Sequence, residues 1–201
     1  AEEIIFTRNT TEGINLIAHS LNLKSGDIIL GTDKEHNSNL IPWQILVKKI
    51  GAIHKVAPSK PDNTFDLEKF SDLMSDKVKL VAMGLTSNLD GVTIPAKEII
   101  KIAHRYGALV LLDAAQAAPH QKIKVTDLDA DFLAFSGHKM LGPTGTGVLY
   151  GKKSLLENLE PFLTGGETVE YSTYENHKLL PIPEKFEAGL QDYAGIIGLG
   201  Q

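Results

Sequence analysis

Lys139 and Asp113 are the side chains whose types and settings point to one shared chemistry. Lys139 closes the run Phe135-Ser136-Gly137-His138-Lys139-Met140, and Asp113 follows the apolar run Ala108 to Leu112. Ligands of open α/β sheets bind beyond the carboxyl ends of the strands, so two such ends facing one crevice can hold a cofactor between them. A lysine amine forms a Schiff base with an aldehyde. A carboxylate pairs with a protonated ring nitrogen and keeps that ring able to accept electrons. Pyridoxal phosphate (PLP) needs both groups. Read singly, each has an ordinary alternative: Lys139 as a solvated surface lysine, Asp113 as a helix N-cap or strand-end turn.

Further candidates lie in other segments that follow apolar runs. Thr10-Thr11-Glu12-Gly13 precedes an apolar helical stretch, so its hydroxyls and free backbone N–H groups could cradle a phosphate or simply cap the helix. Ser136 and His138 offer donors for the same anion. Gln116, three residues after Asp113, could donate to a phenolic oxygen or sit in a turn. His36, in Asp33-Lys34-Glu35-His36-Asn37-Ser38-Asn39, reads as an exposed loop histidine or as an imidazole stacked on a pyridine ring. Asp33, Glu35 and His36 mimic a weak metal site, but no second histidine lies at ligand spacing, and no metal is expected. Asn88 ends an apolar run and reads as a turn. Gly142-Pro143-Thr144-Gly145-Thr146-Gly147 is not a P-loop, because its lysine precedes it and a strand-like Val148-Leu149-Tyr150 follows.

These residues need a scaffold, and apolar runs alternating with amphipathic stretches predict βαβ units and a mostly parallel sheet. Strands are expected near Ile4 to Thr7, Asp27 to Leu30, Ala52 to Val56, Lys79 to Gly84, Ala108 to Leu112, Phe132 to Phe135 and Gly147 to Tyr150. Helical stripes follow Ile14/Ile17/Leu21, Leu40/Trp43/Val47 and Ile99/Ile102/Tyr106. Pro42 and Pro95 suit first turns. Residues 164–185, polar and rich in Glu, Tyr and Thr, are expected to form a long loop.

Composition narrows the function classes. At 42% hydrophobic and 22% charged, the 201 residues can bury one sizeable core. A net charge of −5, without a basic patch interleaved with aromatics, argues against nucleic acid. With no cysteine, disulfides, thiolate metal sites and a cysteine nucleophile are excluded within these residues. The apolar runs are too short to span a bilayer and the acidic start lacks a signal peptide's basic flank, so a cytoplasmic setting is expected, with no membrane partner. The first residue is not methionine and Ile4-Ile5-Phe6 already reads as a strand, so the chain is expected to be cut from something longer.

Thr-Thr, His, Asn, Asp-x-x-Gln and Ser-x-His-Lys, in that order on successive strand-end loops, together resemble the class V aminotransferase family of fold-type-I PLP enzymes, and within it the NifS/SufS-like cysteine desulfurases. The resemblance runs nearly end to end, through Arg8-Asn9-Thr10-Thr11-Glu12-Gly13, Glu35-His36-Asn37-Ser38-Asn39-Leu40-Ile41-Pro42-Trp43, Asp113-Ala114-Ala115-Gln116 and Ser136-Gly137-His138-Lys139. It implies an α/β fold-type-I large domain over residues 1–201, a seven-stranded mostly parallel sheet flanked by helices. It further implies Lys139 as the Schiff-base lysine and Asp113 as partner of the ring nitrogen. Gln116 and Asn88 would contact the ring oxygen, His36 would stack on the ring and move protons, and Thr10, Thr11, Ser136 and His138 would hold the phosphate. The implied reaction takes sulfur from L-cysteine, giving alanine and a persulfide, in a homodimer that hands sulfur to an acceptor protein. Selenocysteine lyase, aminotransferase or epimerase activity, or an inactive cofactor-binding module, are the alternatives. The sequence departs from the family's common Arg-Phe-Glu-Ala-Gly-Thr in reading Lys185-Phe186-Glu187-Ala188-Gly189-Leu190, and Asn9 replaces a common glycine. Family enzymes are roughly twice this length, and the small domain supplying the persulfide cysteine and the substrate-carboxylate arginine maps onto no residue here.

Overall fold

Successive side chains of a strand point to opposite faces, so a strand apolar on both faces must lie between two layers. In Val78–Gly84, Leu80 and Ala82 join one buried cluster with Ile14, Ile17 and Trp43, whereas Val81 and Met83 join another with Phe70, Ile99 and Ala103. The computed structural model, which describes residues 1–201, is accordingly a three-layer α/β/α arrangement. Its main elements are β1 (Ile4–Thr7), α1 (Thr10–Ser20), β2 (Ile28–Thr32), α2 (Ile41–Ile50), β3 (Ile53–Ala57), α3 (Leu67–Leu73), β4 (Val78–Gly84), α4 (Ala96–Arg105), β5 (Leu109–Asp113), α5 (Val125–Leu128), β6 (Phe132–Ser136), β7 (Gly147–Gly151) and α6 (Lys153–Leu156). The seven strands form one sheet in the order β1-β7-β6-β5-β4-β2-β3. Pairings from β3 through β2, β4 and β5 to β6 are parallel, and β7 is antiparallel to both neighbours.

That order positions the site. β6, β5, β4 and β2 are adjacent and parallel, so their carboxyl ends share one edge of the sheet. β1 runs in the same direction, because it is antiparallel to β7 and β7 to β6, so α1 also begins at that edge.

All seven expected strands are present. The helical stripes differ in detail. Leu40 caps α2 rather than belonging to it, and Leu21 likewise caps α1. On α4 the buried face is Ala96, Ile99, Ile100 and Ala103, while Tyr106 lies past the helix end and is exposed. Residues 164–185 are not a plain loop. They contain a separate hairpin of β8 (Val169–Ser172) and β9 (His177–Leu179), followed by a 3₁₀ turn over Glu184–Phe186. Thr173 closes the hairpin by accepting from the backbone N–H groups of Glu175 and Asn176. Both faces of the hairpin are largely exposed, so its sequence lacks the apolar alternation that marks a half-buried strand. After it comes α7 (Tyr193–Gly200), capped by Asp192. No helix is long and apolar enough to cross a membrane.

Candidate active site

A cavity of about 300 Å³ opens at the shared carboxyl edge. Thr10, Thr11, His36, Asn88, Asp113, Ser136, His138 and Lys139 all line it. Gln116 alone of the expected residues does not; it sits half-buried in the turn after β5.

Asp113 is the last residue of β5 and is 7% exposed. One carboxylate oxygen accepts from the Ala115 N–H at 2.9 Å, which leaves the other for a ligand in the cavity. Burial raises its carboxyl above the ordinary aspartate range, against the Ala115 hydrogen bond and the nearby charges of Lys139 and His36, which lower it. A cation bound beside Asp113 would offset the same desolvation. Lys139 is half-buried in the 3₁₀ turn Gly137–Met140 that follows β6.

The side of the cavity at the start of α1 is built of hydroxyls. The Thr10 N–H donates to Ser136 Oγ at 2.9 Å, and the two hydroxyls lie 2.7 Å apart. Asn9, the N-cap, adopts an extended backbone and accepts from the Glu12 N–H, so replacing glycine here supplies a side-chain cap. Thr11 Oγ1 pairs with Ser38 Oγ at 2.7 Å, and Ser38 in turn pairs with His36 Nδ1 at 3.0 Å. A chain of polar atoms therefore joins the His36 ring to the start of α1.

Gly147 makes this packing possible. A β-carbon there would lie 2.6 Å from Asn9 Cα and 2.8 Å from Phe135 O, both backbone atoms that cannot turn aside. Gly147→Ala is expected to lower stability by about 1–3 kcal/mol through overpacking. A lower urea midpoint is the measurement that checks it.

Glu35 was visible in the sequence only as part of a weak metal mimic. Although the residue as a whole is half-buried, its carboxylate is enclosed by donors from Thr32, Asn39 and Gly84. Burial pushes it up to about 7, opposed by those hydrogen bonds and reinforced by the negative charge of Asp113. Because this lies above the unfolded value, the group's stabilising contribution is complete below the ordinary glutamate range and is lost as pH rises through about 7. The spacing of Glu35 and Asn39, four residues apart in a loop, was the one signal available. No spacing in the sequence marks Lys34; its amine bridges Asn63 O and the Asp90 carboxylate, tying together the loops after β2, β3 and β4.

The remaining departure, Lys185, is buried, and its amine donates to the carbonyls of Glu157 and Leu159 at 3.1 and 2.8 Å. Glu187 accepts from the Phe6 N–H at 2.7 Å on the edge strand. Leu190, where the family commonly has threonine, is exposed.

The chain is similar to known proteins in sequence and fold. A protein of Halalkalibacterium halodurans named "Probable cysteine desulfurase" is 50% identical over 99% of this chain and 50% of its own length. The crystal structure of the cysteine desulfurase CsdA from Escherichia coli superposes with a TM-score of 0.96 at 39% identity, covering 98% of this chain and 50% of that one. The cystine C–S lyase C-DES, solved with its product cysteine persulfide, gives 0.91 at 26% identity over 98% of this chain and 54% of its own. A C-DES variant has been solved with glycine covalently linked to its PLP cofactor. The chain thus spans about half the length of the curated relatives it matches. A strand-end lysine and a buried aspartate meet here in one cavity on a sheet that superposes on those enzymes, and the match to the family covers residues 1–201: the chain belongs to the class-V aminotransferase family.

Proposed function

We propose that residues 1–201 are the PLP-binding large domain of a cysteine desulfurase that takes sulfur from L-cysteine, releasing alanine and leaving a persulfide. The observation that carries the reading is one cavity holding a lysine, a buried aspartate with an uncommitted oxygen, and a hydroxyl-lined helix start. This donor set fits the cofactor: a carboxylate for the ring nitrogen and an anion cradle where Thr10, Thr11, Ser136 and His138 gather.

When bound, PLP supplies an electron sink conjugated to the substrate α-carbon. Lys139 would hold the cofactor through its amine and would serve as the base that takes the substrate α-proton. Asp113 keeps the ring nitrogen protonated. His36 would lie over the ring face and would exchange protons through Nε2, since Nδ1 accepts from the Ser38 N–H at 3.1 Å. Asn88, in the cavity lining, would contact the ring oxygen, and Gln116, in the turn after β5, is assigned the same partner. These residues contain no cysteine, and we assign the persulfide cysteine to the part of the relatives' length that the chain does not span. We further assign a homodimeric, cytoplasmic enzyme with a sulfur-acceptor protein, as the family resemblance implies; exposed Leu190, Tyr193 and Ile197 offer apolar surface for a subunit contact.

A C–S lyase reaction on the same cofactor is the second reading, favoured by the similarity to C-DES. A PLP titration of the chain, followed by its visible absorbance, borohydride reduction and peptide mapping, tests the site. Label on the Lys139 peptide is expected; label on another lysine, or no band in a folded sample, would overturn the assignment. Alanine from cysteine, against pyruvate and cysteine persulfide from cystine, assayed on a chain extended to the relatives' length, separates the two reactions.

A further inference from the structure

We propose that Glu35 is a positioning residue whose carboxylate clamps the His36 loop to the carboxyl end of β4 and so holds the imidazole over the cavity. The proposal rests on the cofactor reading above.

His36 has little else to hold it. It is exposed, it caps the short 3₁₀ turn Asn37–Asn39, and its side-chain hydrogen bonds are to Ser38, two residues away. The direction of the ring therefore follows the backbone of the loop. Glu35 fixes that backbone from three sides. Its Oε1 accepts from Thr32 Oγ1 at 2.6 Å, at the end of β2; its Oε2 accepts from Asn39 Nδ2 at 2.6 Å, beyond His36; and the Gly84 N–H, at the end of β4, donates to both oxygens at 3.1 and 2.9 Å. Asn39 is fully buried and passes the restraint on, its Oδ1 accepting from Trp43 Nε1 at 3.0 Å in α2. The two flanks of His36 are thus tied to two strands and a helix through one carboxylate.

Every partner is a donor, which suits an ionised carboxylate, an acceptor with two oxygens and no proton of its own. Protonation needs only one change: the acid O–H faces Thr32 Oγ1, and that hydroxyl, which already accepts from the Lys34 N–H, turns its own proton elsewhere. Glutamine reproduces this arrangement, with its amide donating to Thr32 and its oxygen accepting from Asn39 and Gly84. Alanine removes it. The ionisable groups facing Glu35 are Asp113 from β5, whose charge opposes its ionisation, and His54 from β3, which packs against the same side of Gly31 with Nε2 buried and unpartnered. On its own loop, Lys34 is engaged by Asp90 and Asp33 by Ser59.

The test compares the wild type with Glu35→Ala and Glu35→Gln by PLP titration and by NMR of the Gly84 amide and the His36 ring. Loss of hydrogen bonds to a charged group predicts PLP affinity weakened by roughly tenfold or more in Glu35→Ala, with broadened His36 resonances, and within about threefold of wild type in Glu35→Gln. The Gly84 amide should titrate with a midpoint near 7 in the wild type and not at all in Glu35→Gln. Wild-type affinity and sharp His36 lines in Glu35→Ala would overturn the proposal, as would equal losses in both variants or a Gly84 titration that survives Glu35→Gln. A folded wild type that binds no PLP sinks the cofactor reading instead, and the two NMR readouts then decide the clamp. Should Glu35→Ala fail to fold, the Gly84 titration still decides it.

Discussion

Replacing Lys139 with alanine is expected to abolish covalent attachment of PLP and to lower turnover by at least about 10²–10⁴-fold, the scale set by removing a positioned proton-transfer group. Borohydride would no longer fix cofactor to the Gly137–Met140 turn, and the visible band would shift to that of free or reversibly held PLP. Binding itself should weaken rather than vanish, because the hydroxyls of Thr10, Thr11 and Ser136 are untouched. Lys139→Arg is the control. It keeps the positive charge near Asp113 yet cannot form the imine at neutral pH, so it should lose turnover as completely as alanine. Removing the cation altogether also removes one of the influences that lower the Asp113 carboxyl, so alanine should leave that acid higher than arginine does. The fold should not respond: Lys139 is half-buried on a turn, and such substitutions usually fall within about 0.5 kcal/mol. A turnover loss accompanied by a collapsed urea midpoint would count against the assignment.

Asp131→Ala should do the reverse, costing stability and sparing the site. Asp131 is 3% exposed and precedes β6, at the edge of the sheet opposite the cavity. Its Oδ2 accepts from His104 Nε2 and from the Val110 N–H, both at 2.8 Å, and its Oδ1 from Lys152 Nζ at 2.8 Å. It thereby joins α4, β5 and the segment after β7. Alanine would strand a buried backbone N–H, at about 1–3 kcal/mol, and remove the carboxylate that His104 and Lys152 share. His104 and Lys152 retain side-chain exposures of 29% and 27%, so solvent would recover part of that second cost. A net loss of about 2–4 kcal/mol is expected, measured as a lower urea midpoint with an unchanged slope. His104→Ala alone should cost less, since Asp131 keeps Lys152. PLP affinity of the folded fraction should hold, because no residue of this cluster lines the cavity.

Much of this layout is readable from residues taken in order. Strands such as Leu109–Asp113 announce themselves because a run apolar on both faces has to be covered on both faces, and the residue that ends the run is where the chain meets solvent. The types of Lys139, Asp113, His36 and Thr10 then suggest their chemistry. The hairpin at Val169–Leu179 was not readable, since neither face is buried and burial is what produces a periodic sequence. Gln116 illustrates a related limit. Its distance from Asp113 along the chain is short, but the turn after β5 carries it outside the lining.

The amino-acid order by itself determined which side chains stand at strand ends and what each could do, because those properties depend on local periodicity and on functional groups. It left open which ends are neighbours. The order β6-β5-β4-β2 brings Lys139, Asp113, Asn88 and His36 to one opening, and register sets Gly84 beside Asp113 and Ser136 beside Gly147. Glu35 illustrates the difference most plainly. Its role depends on the Gly84 N–H, which is remote in sequence and reaches the carboxylate only because β2 and β4 pair directly. Proximity across a sheet follows from strand order and pairing, which side-chain spacing along a single strand or helix does not encode.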